Sequence, residues 1–503
     1  MSNSGLQQLQ RSAVIDFAHA LVSVWLNRQL HDRNSQHCTD ALRDLTQRLA
    51  TAGGMGIESP LQLQFDGTCI YHDGYPLEGP SLQAKSLLQS CQERRIGMLS
   101  FRSELSADEA NRLVDLLLLP ENRDALYREH RDATLTALGI RNVRVTLRDP
   151  GDPTNRREHV DGRGSALRHY QDLAEALQQN HQLAHRDLEL RVDATASAVE
   201  RTLQEIEEPS MLLSLSMQDD VDRFTVGHSV RVALLALQVA RAAGADRDQL
   251  VRVGAAALLH DIGKSKVPQE ILFKQGRLLP EEWEWMAQHP RLGAQILIEQ
   301  HESVDPNTIG AAFCHHMGPN GKGYPDSMLP VPPSATSRLI RVCDVFEALT
   351  AVRPYKHALT PIEAYAVMFR NSSDFDPDWL QNFVRTLGLF PNGTRVELQD
   401  GAQALVIAQS HDIRKPELRL LTAAAGGTLP ADHPPTVRCG ESLHGETVRI
   451  AQLQTHERIV ALPELDPEDP EAAQAARQTV HDTCIGHDHD EDDHGDGDGH
   501  KHP

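Results

Sequence analysis

The chain has 503 residues, 40% of them hydrophobic and 24% charged, which is long enough for two to four domains at the usual ~100 to 200 residues each. Its 71 acidic against 49 basic residues leave a net charge of −22, which repels nucleic-acid polymers and anionic membranes and argues against a polyanion-coating role. Seven scattered cysteines without a CxxC pair indicate a reducing compartment rather than a disulfide framework. With no basic-then-apolar leader and no run of ~18 apolar residues, the expectation is a soluble cytoplasmic protein. A small anionic ligand in a metal-lined pocket stays open, because bound cations override the distant field.

Taken in chain order, residues 5–50 have helical periodicity. LQLQF and TCIYH then alternate around Asp66-Gly67 as a tight hairpin. A helical stretch from about Ser81 to Arg94 follows, then a strand-like GMLSF, and Ser106 to Glu109 reads as a capping box opening an apolar helix. Residues 1–150 are thus expected to be a small α+β domain with a regulatory or partner-binding role. The HDGYP at 72–76 reads as a turn, since Asp-Gly favours one and no second histidine cluster surrounds it. Residues 153–164 are polar and Gly/Arg-rich, a linker, and Ser165 to about Glu208 reads as a connector helix, with a dimer-forming signalling helix as the alternative. The span 151–210 therefore separates the first domain from a mainly α helical bundle at 211–390. Strand-like runs separated by Gly, Asp and Pro make 391–465 a small β-rich appendage. Residues 466–503 end in a His/Asp-rich stretch with six histidines and eight acids in its last 23 residues. This tail is expected to be disordered and solubilising, with incidental metal affinity.

The polar residues with chemistry interrupt the apolar helices of the bundle. His228 is the one imidazole in VGHSVRVALLAL, where alone it would read as a satisfied core histidine. LVRVGAAALLHDIGK ends a buried-looking helix in His260-Asp261, where Gly263 releases the chain and Lys264 follows as an anion-binding point charge. Burying that aspartate is costly unless a cation compensates. His289 stands at a boundary marked by Pro290, His315 and His316 close another apolar helix, and Asp344 sits inside RLIRVCDVFEAL. Nitrogen and oxygen donors without thiolate suit iron or manganese better than a Cys-rich zinc site. Two such ions ~3.5 to 4 Å apart, with Asp261 as the natural bridge, can deprotonate a bridging water and stabilise both oxygens of an in-line phosphoryl displacement.

At these residues the chain resembles the HD-GYP family of HD-domain metal-dependent phosphohydrolases, whose activity is hydrolysis of cyclic di-GMP. The likeness covers roughly Asp219 to Gly388: His228, HDIGK at 260–264, His289-Pro290, His315-His316, GYP at 323–325, and Asp344 ahead of RPY at 353–355. It implies one metal held by His228, His260, Asp261 and Asp344, and a second held by Asp261, His289, His315 and His316. It also implies Lys264 facing the scissile phosphate, Arg353 and Lys356 gripping the ligand's phosphates, and a pocket shaped by Gly323, Tyr324 and Pro325 with Tyr324 open to stack on a guanine. Phe224 replaces the glutamate with which some members hold a third metal, so two divalent ions are expected. The family's HHE-x-x-DG-x-GYP has Met317 and Asn320 at the Glu and Asp positions, and Glu347 stands where Asp is common. Met317 is expected to loosen the loop and bear on turnover more than on metal binding. The implied function is a phosphodiesterase converting cyclic di-GMP to pGpG or GMP. The alternative is a weak or inactive sensor that binds cyclic di-GMP and signals to a partner.

Overall fold

The computed structural model describes residues 3–30, 32–57, 59–119, 126, 131–148, 163–205, 226–272, 274, 278–300, 304–326, 332–351, 358–422, 435–443, 446–454 and 459–461. It begins with α1 (Asn3–Leu30) and α2 (Gln36–Gly54), packed on each other. Ser35 caps α2 by accepting from the Cys38 amide, and Leu42, Leu45 and Leu49 recur at helical spacing on its buried face. A five-stranded antiparallel sheet follows, built from β1 (Leu61–Phe65), β2 (Ile70–His72), β3 (Tyr75–Pro76), β4 (Ile96–Phe101) and β5 (Val143–Leu147) in the order β3-β2-β1-β4-β5. Helices α3 (Glu78–Leu82) and α4 (Lys85–Glu93) lead into β4, and α5 (Ala107–Leu118) and α6 (Arg131–Ala137) into β5.

Local chemistry sets these boundaries. Leu61, Leu63 and Phe65 point inward while Gln62 and Gln64 point out, and Asp66 Oδ1 closes the first hairpin by accepting from the Thr68 and Cys69 amides at 2.8 and 2.7 Å. The upstream GYP belongs to the next hairpin. Asp73 and Gly74 both have positive φ, 49° and 79°, between the paired His72 and Tyr75, which is the two-residue turn that suits strand twist. The expected capping box at α5 is present in both directions between Ser106 and Glu109.

A helical bundle comes next. It consists of α7 (Arg163–His185), α8 (Val192–Glu205), α9 (Val226–Ala242), α10 (Arg247–Leu259), a 3₁₀ turn Ile262–Lys266, α11 (Gln269–Leu272), α12 (Pro280–Met286), α13 (His289–Ile298), α14 (Pro306–Cys314), α15 (Ala335–Thr350), α16 (Pro361–Arg370) and α17 (Pro377–Leu387). The apolar α9 is buried along most of its length and packs on α7, α10, α15 and α17. One continuous core runs through the helices from α7 to α17 other than α11 and α12.

The segment read as a connector helix differs in the structure. It is two helices, α7 and α8, whose Tyr170, Leu173, Leu177 and Val199 are buried in the same core as α9 and α10. The break falls at Asp187, whose φ is 55°. There the Asn180 side chain accepts from the Arg191 amide at 2.7 Å and donates to Thr195 Oγ1 at 2.8 Å, tying the start of α8 back to α7. The first unit grips α7 as well. Gln171 donates to the carbonyls of Ser81 (2.5 Å) and Thr68 (3.1 Å), and Lys85 pairs with Asp172 and Glu175.

The β-rich segment forms a sheet of β6 (Arg395–Leu398), β7 (Gln403–Ala408), β8 (Glu417–Leu420), β9 (Thr436–Arg438), β12 (Ile450–Gln454) and β13 (Ile459–Ala461), ordered β13-β12-β6-β7-β8-β9. A hairpin of β10 (Ser442–Leu443) and β11 (Glu446–Thr447) stands beside it in sequence. Its core of Val396, Leu398, Ala404, Val406 and Leu418 is separate from the other two. Most of the expected linker, Ile206 to Glu208, and the tail lie outside the described residues. No helix among the described residues is long and apolar enough to cross a membrane.

The α8–α10 crossing rests on Gly254, where an added Cβ would lie 2.6 Å from Val199 Cγ1 and 3.1 Å from Leu237 Cδ2. Gly254→Ala gains up to ~1 kcal/mol of helix propensity but overpacks the crossing by about 1–3 kcal/mol. A thermal melt is expected to show a lower Tm for the variant, and an unchanged or raised Tm would show that α8 does not press on α10.

Candidate metal centre

The seven predicted ligand residues lie at or near helix ends in the bundle, except Asp344 in mid-α15. His228 is in the first turn of α9, His260 and Asp261 follow α10, His289 opens α13, and His315 and His316 end α14. All seven are buried. They form two groups whose donor atoms lie within 4.8 Å of one another, His228–His260–Asp344 and Asp261–His289–His315–His316.

Asp261 joins them. Its Oδ2 faces the first group, 3.4 Å from His260 Nε2 and 3.6 Å from His228 Nε2. Its Oδ1 faces the second, 3.2 Å from His289 Nε2 and 3.6 Å from His315 Nε2. Asp344 likewise spans, with Oδ1 3.1 Å from His228 Nε2 and Oδ2 3.9 Å from His316 Nδ1.

Helix ends orient the rings. The last carbonyls of a helix have no partner within it, and three of these histidines supply one. His260 Nδ1 lies 2.7 Å from Ala257 O, His289 Nδ1 2.8 Å from Met286 O, and His315 Nδ1 3.0 Å from Ala312 O. With Nδ1–H donated outward, each Nε2 turns a lone pair into the site. His289 Nε2 and His315 Nε2 then face each other at 3.1 Å, a spacing that a shared proton or a cation beside them satisfies. Charge reinforces this. Burial opposes protonation of His260 and carries it down to about 4, and burial likewise lowers His289, His315 and His316. Burial would raise Asp261 and Asp344, but Lys264 and His260 outweigh it at Asp261, and His228 holds Asp344 down at about 2.

The donor set fits divalent cations. Among the described residues His260 Nε2, Asp261 Oδ1, His316 Nδ1 and Asp344 Oδ2 are buried without a hydrogen-bond partner, four atoms of metal-ligating type in one place. Two neighbouring groups sharing one carboxylate, with no thiolate, make room for two such ions among N and O donors.

Two residues missed as site members support His228. Glu347, one turn after Asp344, accepts from His228 Nδ1 and from Arg231, whose Nε lies 2.6 Å from Oε1. Burial opposes a charged His228, yet Glu347 and Asp344 prevail and lift it to about 9. The signal was in the sequence, since Arg231 and Glu347 each stand three residues after a ligand in an apolar helix, on the same face.

The other expected site residues differ among themselves. Lys264 is in place but bonds Asp261 Oδ2 at 2.5 Å. Tyr324 differs from the expectation, because one face of its ring already stacks on His316 (centroids 4.3 Å, interplanar 21°) and its edge meets Trp283. Gly323 has φ 124°, and a Cβ there would lie 2.1 Å from His316 O, so the loop needs glycine. Pro325 is buried after a cis bond. Met317 does not leave the loop unheld. It is fully buried and its backbone bridges Gly323, while the Gly318 amide donates to Lys322 O at 2.7 Å and Asn320 Oδ1 accepts from the Lys322 amide at 2.9 Å. The buried Met317 side chain holds this point of the chain by packing. Arg353, Lys356 and Phe224 lie outside the described residues.

Two substitutions test this geometry. Gly263→Ala places a Cβ 1.9 Å from His289 O and 2.5 Å from Gly293 N, so the HD turn and α13 must part; loss of bound metal and a lower Tm are expected, and wild-type values would refute the close approach. Glu347→Gln keeps the size but removes the charge behind His228. Chelator competition should show metal affinity reduced roughly 10- to 100-fold.

Residues 214–379 match a family model described as an HD domain. A cyclic di-GMP phosphodiesterase of Pseudomonas aeruginosa is 37% identical over 202 residues, 40% of this chain and 48% of the relative. A cyclic di-GMP phosphodiesterase response regulator of Xanthomonas campestris is 30% identical over 216 residues, covering 42% and 56%. A 3'3'-cGAMP-specific phosphodiesterase of Vibrio cholerae is 35% identical over 170 residues, covering 34% and 36%. The match thus spans about half the length of these relatives, or less. Sequence match, helical bundle and buried His/Asp groups agree on an HD domain at residues 214–379, similar in sequence to cyclic-dinucleotide phosphodiesterases.

Proposed function

We propose that the bundle is a metal-dependent phosphodiesterase that hydrolyses cyclic di-GMP to pGpG or GMP. The observation that carries this reading is the single buried carboxylate of Asp261, one oxygen turned to each of two groups of bare imidazole nitrogens. His228, His260, Asp261 and Asp344 would hold one divalent cation, and Asp261, His289, His315 and His316 a second, with iron or manganese best matched to the donors. Such ions supply Lewis-acid charge and lower the pKa of water.

The chain's own groups do the rest. The helix-end carbonyls keep the Nε2 donors of His260, His289 and His315 unprotonated toward the site, and Glu347 fixes the direction of His228, which limits reorganisation during the reaction. Lys264 brings the positive charge nearest the shared carboxylate and, released from Asp261, faces a phosphate. The buried walls exclude water, so charges act across a low dielectric. Gly323, Tyr324 and Pro325 form the rim beside His316, and Tyr324 offers its remaining surface to a base. Arg353 and Lys356 are assigned to phosphate binding by the family pattern. The first unit is read as a regulatory or partner-binding domain, residues 391–465 as an appendage, and α7 and α8 as part of the catalytic unit, whose core they share. Named relatives include enzymes for both cyclic di-GMP and cGAMP, so both dinucleotides are substrates to test.

The test is anaerobically purified protein, assayed for metal and incubated with each dinucleotide beside His260→Ala/Asp261→Ala. Two ions per wild-type chain and turnover abolished in the double variant are expected. Binding of cyclic di-GMP without turnover by a fully loaded chain would replace the enzyme by a sensor, and a chain that holds no metal would sink both. Restoring Met317→Glu is expected to change kcat less than ~10-fold and to leave the metal count at two, because the loop is held through backbone and packing.

A further inference from the structure

The site has one more imidazole beside it than the motifs account for. His181 lies on α7, outside the matched HD domain, on a helix face whose Tyr170, Leu173, Ala174 and Leu177 are buried in the core. Its spacing of four from Leu177 and seven from Ala174 continues that face. α7 packs against the 3₁₀ turn that follows Asp261. One turn beyond His181, His185 Nδ1 lies 3.1 Å from Ser265 O, so this end of the helix is fastened to the turn that carries Lys264.

Among the described residues His181 Nε2 has no hydrogen-bond partner and next to no exposed surface, although the side chain as a whole is half-buried. The packing of α7 on the 3₁₀ turn puts this end of the helix on the side of the centre, and the charges of Asp261, Lys264 and His260 act on the ring. A core histidine is ordinarily satisfied, as its neighbour Asn180 is by Arg191 and Thr195. A buried ring nitrogen left bare on the helix that packs against the turn carrying Lys264 calls for another explanation.

Lys264 can supply the missing partner. Its ammonium carries three donors, and in this structure one goes to Asp261 Oδ2. Cations on Asp261 would compete for that oxygen and repel the ammonium. We propose that His181 is a positioning residue whose Nε2 accepts from Lys264 once Asp261 is committed to metal, holding the lysine at the edge of the site where a substrate phosphate arrives. The inference rests on the two-cation reading, and it makes His181 a second-rank support, not a ligand. It also gives α7 a chemical part in a site that the domain match ends short of.

The experiment compares wild type, His181→Leu and His181→Gln in the full chain by metal content, by the rate at which an amine-reactive acylating reagent labels Lys264, and by kinetics with cyclic di-GMP. Equal metal content in all three is expected. Metal-loaded His181→Leu should label several-fold faster at Lys264 and lose roughly 10-fold in kcat with a smaller change in KM, while His181→Gln, which keeps an acceptor, recovers part of both. Unchanged Lys264 labelling in His181→Leu, or metal lost from either variant, overturns the proposal. Should His181→Leu fail to fold, the 15N signal of the His181 ring in wild type decides: a metal-dependent change from a bare to a hydrogen-bonded acceptor nitrogen supports it, and no change refutes it. A wild type that binds no metal defeats the two-cation reading itself, an outcome separate from a loaded wild type whose His181 is inert.

Discussion

The buried carboxylate of Asp261 is the constraint on which the rest of the bundle turns. A charge in that position needs compensation: Lys264 supplies it from the following turn, while His228 and His260 at one oxygen and His289 and His315 at the other are donors through which a cation would supply the rest. Four helices must therefore end or begin within reach of one residue. The small residues that permit this are part of the same requirement, because Gly263 lets the HD turn touch the backbone of α13 with no room for a Cβ.

The second layer works by the ordinary needs of helix termini. Carbonyls at the ends of α10, α12 and α14 lack partners within their helices, and the histidines that satisfy them are aimed by doing so. His228 begins a helix and cannot use that device, so Glu347 with Arg231 takes its place. The same helix that carries His181 is gripped by the first unit through Gln171 and Lys85. The N-terminal sheet and the HD turn are thus attached to one rigid rod.

Much of this was legible in the residues. The seven ligand-type residues stood out because each interrupts an apolar run, and the hairpin at Asp66-Gly67, the upstream Asp73-Gly74 turn and the Ser106 capping box follow from local chemistry that tertiary context did not override. The connector reading failed for a physical reason. α7 and α8 have polar outer faces and a modest apolar stripe, and a stripe alone does not say whether it meets a second copy, solvent or the bundle. The role given to Tyr324 shifted likewise, since only coordinates show that His316 occupies one face of its ring.

What the sequence determined by itself is the inventory: N and O donors without thiolate, their order, the helices that carry them, and glycines where the chain must turn. Tertiary structure alone decided the pairing. That Asp261 divides its oxygens between two groups, that Glu347 rather than solvent receives His228, and that Met317 is sealed into the core beneath the GYP loop all depend on how helices distant in sequence cross. Periodicity fixes which face of a helix is apolar, but the partner across that face is chosen by packing among separate segments, up to 119 residues apart for His228 and Glu347, and no local pattern records it.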